Sequence, residues 1–306
     1  MKEYLLLQCR MNNRKLRDAG LPPVLGYVLI LAAFIGISYY LFSKSQYAQY
    51  IYPLLALTLP TPLAETRRCE FLKTTFGDAQ YRKLRITENL IVVLPFLLFL
   101  LYKQAFLMAG ILPVAAALLA LNTYSSSLQY TIPTPFGRKP FEFAVGFRST
   151  FALFIIAYGL AGIAAAVGNF NLGIFALLMV FAITLSYYGA PEDEYYVWQH
   201  SYSPKAFLFM KYKIAIQYAT LLSLPALAIL GIAFYTDIHY ILLFQILGYA
   251  YIACMIAAKY SAYPSEMNVP QAVLLAIGFC FPPALLIVFP YFVTRALQRL
   301  QPMLKW

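Results

Sequence analysis

Charge is scarce in this sequence. Only 11% of its 306 residues are Asp, Glu, Lys or Arg, against about 25% in an ordinary soluble domain. That shortage excludes a water-soluble globular protein. It also excludes a disordered chain, which needs high charge and few apolar groups. Histidine is nearly missing too, with His200 and His239 alone. A zinc protease needs a His pair with an acid, and these two fall on opposite faces of the membrane when the basic segments are placed inside. No Gly-x-x-x-x-Gly-Lys-Ser/Thr phosphate loop occurs, so the chain is not itself an ATPase of that kind. No paired Asp-rich motif occurs either, which leaves prenyl-transferase chemistry without ligands for magnesium and pyrophosphate. The four cysteines, Cys9, Cys69, Cys254 and Cys280, have no paired spacing and read as small buried or cytosolic thiols.

What is abundant is apolar surface: 62% of residues, with 26 Tyr and 24 Phe and a mean hydropathy of +0.69. No charged residue occurs in 22–43, 45–64, 89–102, 104–137, 149–191, 214–236, 238–258 or 267–294. A spanning helix needs about 20 apolar residues to cross about 30 Å of hydrocarbon. The stretches therefore predict an all-α polytopic membrane helix bundle. Its eight spans lie near 22–43, 47–64, 86–103, 105–122, 148–168, 171–189, 213–235 and 239–258. Breaks are expected at Lys103-Gln104 and near Gly168–Asn171. Residues 1–21 hold five basic residues and no small-residue cleavage site after a short apolar core, so the first span reads as a retained anchor.

The formal charge of +11 would suggest nucleic acid in a soluble protein. Here it sets orientation instead, and no nucleic-acid partner is expected. With a cytoplasmic N-terminus, 18 of the 23 Lys and Arg fall in inner segments, whereas the outer turns hold only Lys44 and Lys103. That bias obeys the positive-inside rule. The expected location is a bacterial inner membrane.

A shift of 126 residues lays span one on span five and span two on span six. A shift of 130 then lays Lys83, Leu94 and Pro95 on Lys213, Leu224 and Pro225. Four spans per unit make the two copies parallel. The expected organisation is a first repeat over 1–122 with a cytoplasmic segment at 65–80, and a second over 123–258 with one at 190–204. A hydrophobic segment and basic tail complete the chain over 259–306. The stretch 267–294 either crosses as a ninth span or folds back at Pro282-Pro283 as a re-entrant hairpin.

The two cytoplasmic segments carry the chemistry. In the first, Cys69, Leu72 and Phe76 recur at helical spacing before Gly77, and Asp78 can cap a helix that runs through Tyr81, Arg82, Lys83 and Arg85 into span three. In the second, Tyr195, Trp198 and Tyr202 form the stripe, and Ser203-Pro204 starts the next helix. One reading is an interfacial helix on lipid headgroups. Such a helix wants a basic polar face, however, and Glu192-Asp193-Glu194 is acidic, which favours a protein partner for the second segment.

Glu65, Glu70, Leu72 and Lys83, then Ser203-Pro204-Lys205 and Lys211, give an acidic residue, a second Glu, a Leu-containing helix, a break and a basic helix entering a span. The pattern resembles the coupling region of ABC transporter permeases of the type 2 exporter class, over about 25 residues in each copy. Family members commonly have six spans and one coupling helix, whereas this chain reads as eight and two. The resemblance implies a separate cytoplasmic ATPase that supplies ATP and Mg, with no cofactor and no enzymatic site in this chain. Its docking surface would comprise Glu65, Arg67, Arg68, Glu70, Phe71, Leu72 and Phe76, with Glu192, Asp193, Glu194, Tyr195, Trp198 and Tyr202. The aromatic and leucine side chains would anchor, and Arg67, Arg68 and Glu70 would orient. Membrane lipid and homodimeric or heterodimeric assembly complete the implied partners. A hydrophobic or amphipathic cargo is expected from the absence of a charged pocket among the spans.

Two other classes remain open from the sequence. An ion-coupled secondary transporter needs an acid within its spans, and Glu88, near Arg85, is the one candidate. An intramembrane lipid-modifying enzyme built on Ser or Tyr leaves no diagnostic spacing.

Overall fold

Long uncharged runs in hydrocarbon satisfy their backbone groups only as helices or closed barrels, and the lack of period-two alternation favours helices. The computed structural model describes residues 2–122, 133–136, 141–199 and 202–304. It is all-α, 85% helical, with no strand among the described residues. The chain divides into two compact units, one formed by 1–17 with 21–129 and the other by 18–20 with 130–306.

The first unit contains α1 (Lys2–Asp18), α2 (Pro23–Lys44), α3 (Ala48–Thr58), α4 (Thr66–Tyr102) and α5 (Phe106–Leu121). Proline sets two of these boundaries. Pro23 opens α2, where its missing N–H costs nothing. Beyond α3, Pro60 and Pro62 cannot continue an α-helix, and a 3-10 turn over Thr61–Ala64 takes over. Within α4, Gly77 sits at φ 72° and ψ 162°, a region open essentially to glycine alone. The helix therefore breaks where Gly77 was expected to end it. The α4–α5 hairpin turns at Lys103-Gln104, with Gln104 at φ 58°. The core packs Tyr52, Ala56, Val93, Phe99, Leu100, Leu112 and Ala116. A smaller cluster joins Tyr4 of α1 to Cys69, Leu72, Tyr81 and Leu84 of α4.

The second unit contains α6 (Phe141–Val167), α7 (Phe170–Ser186), α8 (Glu194–Trp198), α9 (Pro204–Ala233), α10 (Ile238–Ala262), α11 (Val269–Cys280) and α12 (Leu285–Leu300). The side chains of Asn169, Asp193 and Ser203 accept hydrogen bonds from backbone N–H groups and so cap α7, α8 and α9. Small residues let the helices approach closely, as in membrane bundles generally. Ala157, Ala161, Ala215, Ala219 and Ala226 are buried among them. At Gly248 of α10 a Cβ would lie about 2.5 Å from the Phe181 ring of α7, so glycine is the residue this contact admits.

Five helices are long and apolar enough to cross a membrane: Pro23–Lys44, Thr66–Tyr102, Glu142–Val167, Pro204–Ala233 and Tyr235–Ala262, the last including a short 3-10 turn. The elements at 47–64, 105–122 and 171–189 are shorter, with 11, 16 and 17 helical residues. The C-terminal stretch is split at Pro282-Pro283 into α11 and α12 by a 3-10 turn, because two successive prolines remove two helical donors. Arg295 and Arg299 lie on α12, and Lys305 lies outside the described residues.

Candidate functional site

The sequence singled out surface segments, and the structure ties each of them to a buried polar cluster. In the second unit the cluster centres on Glu192, in the turn between α7 and α8. Its Oε1 accepts hydrogen bonds from Lys211 Nζ of α9 at 2.9 Å, Lys259 Nζ of α10 at 3.0 Å and the Tyr260 hydroxyl at 3.0 Å. Lys211 also donates to Glu142 Oε1 of α6 at 2.6 Å. Aromatic rings complete the enclosure. Phe207 lies 5.7 Å from the Lys211 ammonium, and Tyr188 and Tyr260 lie 5.5 and 5.6 Å from that of Lys259. Lys259 is only 3% exposed. Burial by itself would raise the Glu192 carboxyl. The ammonium groups of Lys211, which bridges to Glu142, and of Lys259 prevail and hold it well below the usual carboxylate range. The acid is thus an ion-paired clamp on α9 and α10.

This clamp anchors the base of α8. The Asp193 carboxylate accepts from the Tyr195 N–H at 3.0 Å and caps that helix. One residue of α8, Val197, is fully buried. The others face outward, with Tyr195 61% and Trp198 70% exposed. Glu194 is exposed as well. Two expectations need correction. The apolar stripe does not run along one helix to Tyr202: α8 ends at Trp198, and Tyr202, exposed, lies beyond it. Glu192 is not a free acid repelling lipid, because two lysines neutralise it. His200 lies outside the described residues.

The first unit arranges its segment differently. Glu65 precedes α4, and Arg67, Glu70 and Phe71 are exposed. Leu72 is 2% exposed, packed with Tyr4 and Tyr81, and Phe76 meets the Tyr4 ring edge-on at 5.7 Å. As expected, Cys69, Leu72 and Phe76 share one side, but α1 covers that side. Leu72 and Phe76 are therefore core contacts here rather than exposed anchors. Arg68 turns inward. It meets Glu88 Oε1 at 2.5 Å and donates to the Tyr4 hydroxyl at 2.8 Å and the Leu63 carbonyl at 2.9 Å. The Tyr4 hydroxyl itself donates to Glu88. Burial, with the Glu88 carboxylate adding, pushes that phenol up to about 12. The partner of Glu88 is thus Arg68 and not Arg85, its neighbour in sequence.

Glu142, Lys259, Tyr260 and Tyr4 belong to these clusters and were not singled out from the sequence. A signal existed for one of them. Lys259 borders the charge-free stretch 238–258, where a charge at a helix end must find a partner or water. Among the described residues, no group of three or more His, Cys, Asp or Glu could hold a metal ion. Comparison with protein-family models, curated proteins and solved structures yields no match to this chain.

Proposed function

We propose that this chain is the membrane-spanning permease subunit of an ATP-driven exporter, moving a hydrophobic or amphipathic substrate and docking a separate cytoplasmic ATPase. The observation that supports this most is the presentation of α8. A three-donor clamp on Glu192 anchors its base in the bundle, while Tyr195 and Trp198 project outward beside the acidic Asp193 and Glu194. Exposed aromatics on a rigid base are what a partner's groove can grip, because aromatic anchors carry much of an interface's energy. An anchor tied to α9 and α10 can also pass a push from the partner into those helices.

On this reading α2, α3, α4 and α5 correspond in order to α6, α7, α9 and α10, as two parallel four-span repeats. The first segment of α4 corresponds to α8, and α11 with α12 is added at the end. The shorter helices complete eight spans with the help of their flanking turns. ATP and Mg belong to the partner, and the N-terminus and α8 face the cytoplasm of a bacterial cell. Ion-coupled transport has weaker support, since Glu88 is already paired with Arg68 and bonded to Tyr4.

The test is co-purification with the ATPase and its hydrolysis rate. Replacing Tyr195 and Trp198 by Ala should weaken association by about 2 kcal/mol or more. Both side chains are exposed, so the fold should hold. Undiminished association by the folded variant would refute docking through α8.

A further inference from the structure

The first unit buries more positive charge than it neutralises. Arg85 is fully buried. One of its donors, Nη1, reaches the Leu63 carbonyl at 2.6 Å, while Nε and Nη2 are buried with no partner. The nearest acid in sequence, Glu88, spends the same oxygen on Arg68 and Tyr4. Arg68 also donates to the Leu63 carbonyl, so two guanidinium groups converge on one oxygen. Arg68, Arg85 and Glu88 together leave one net positive charge. A buried cation without a counter-charge is among the most costly features a fold can hold. Orphaned buried polar atoms of this kind point to a bound water or ion.

The unmade bonds define what would fit. Arg85 Nε and Nη2 form one edge of a planar fork, the geometry that takes two oxygens of an oxyanion. The Tyr81 hydroxyl lies beside the Cys69 thiol and the same guanidinium and is also buried with no hydrogen-bond partner. A carboxylate could meet all three donors only by accepting twice at one oxygen, whereas a tetrahedral oxyanion has an oxygen for each. Glu88 Oε2 and Asn89 Oδ1 are buried and unpartnered as well. Around the cluster the Arg68 side chain is 24% exposed, the Lys73 ammonium sits 5.3 Å from the Tyr81 ring centroid, and Arg67, Arg82 and Lys83 are exposed. These charges raise the local anion concentration.

We propose that Arg85, Arg68 and Tyr81 form a binding site for a phosphate-type oxyanion, supplied either as hydrogen phosphate or as a phosphatidylglycerol headgroup. The site stands whether or not an ATPase docks on α8. It is tested on the full chain in neutral detergent by thermal midpoint and by ligand retention in native mass spectrometry. The probes are phosphatidylglycerol, phosphatidylcholine, inorganic phosphate and chloride at matched ionic strength. Phosphatidylglycerol or phosphate should raise the midpoint, and phosphatidylcholine and chloride should not. Arg85→Met and Tyr81→Phe should each weaken the response at least about tenfold, as loss of a charge-assisted hydrogen bond does. Should Arg85→Met fail to fold, Tyr81→Phe decides alone, because it removes one donor and no charge. A response to phosphatidylglycerol alone assigns the lipid, and a response to phosphate as well assigns the free anion. An equal response to phosphatidylcholine or chloride, or an undiminished response in the folded variants, overturns the proposal.

Discussion

In the second unit Glu142 and Glu192 face Lys211 and Lys259, two acids against two bases, whereas in the first unit Glu88 pairs with Arg68 and Arg85 reaches only the Leu63 carbonyl. The second cluster joins α6, the turn before α8, α9 and α10. The first joins only α1, the turn before α4, and α4. Burial differs as well: the Lys259 side chain is 3% exposed and that of Arg68 24%. A balanced, mostly buried network can serve as a structural clamp, since every charge is matched where little water reaches. A partly open cluster with surplus charge is suited to receiving something. The same kinds of residue at the start of a long helix thus serve two ends, decided by how many acids each fold brings in.

That contrast can be broken by removing the acid from each cluster. Glu192→Leu should have the largest effect, because it strands the Lys259 ammonium among aromatic rings. Breaking a buried pair costs about 3–5 kcal/mol, readable as loss of unfolding free energy in detergent. Adding Lys259→Met should recover part of it, and a single-variant loss near zero would mean the clamp is not closed. Glu88→Leu should cost less, about 1–2 kcal/mol, because the partly exposed Arg68 can turn to water. If the two losses were equal, the difference in burial would not matter.

The smallest effect is a pH dependence. The Glu192 carboxyl has a depressed value in the fold, so its contribution is complete above the unfolded value of about 4.3 and is lost as pH falls below it. One such group contributes at most about 1.4 kcal/mol per pH unit in that window. Unfolding measured from pH 6 to pH 3 should show this slope, and Glu192→Gln should flatten it. An unchanged slope in that variant would place the acid sensitivity elsewhere.

Local features were the legible ones. The break at Gly77, the Ser203-Pro204 helix start and the split at Pro282-Pro283 depend on a backbone restriction that one or two residues impose, and the turn at Lys103-Gln104 showed as a charge between two uncharged runs. Pairings across the fold were not legible. Glu88 lies near Arg85 in sequence, yet Arg68, 20 residues away from Glu88, is its ion-pair partner. The stripe of Cys69, Leu72 and Phe76 was visible as a stripe, but periodicity cannot say whether neighbouring protein or solvent meets it. For Tyr195, Trp198 and Tyr202 the same periodicity overran a helix that stops at Trp198.

The sequence by itself determined that this is an apolar all-α chain with several helices able to cross a membrane, because composition, run length and proline or glycine position act through local backbone physics. Tertiary structure alone decided that Glu192 closes on Lys211 and Lys259, that Tyr4 covers Leu72 and Phe76, and that Arg85 is left with unmade donors. Those outcomes depend on which charges from distant segments arrive in the same low-dielectric space, and no local pattern encodes that.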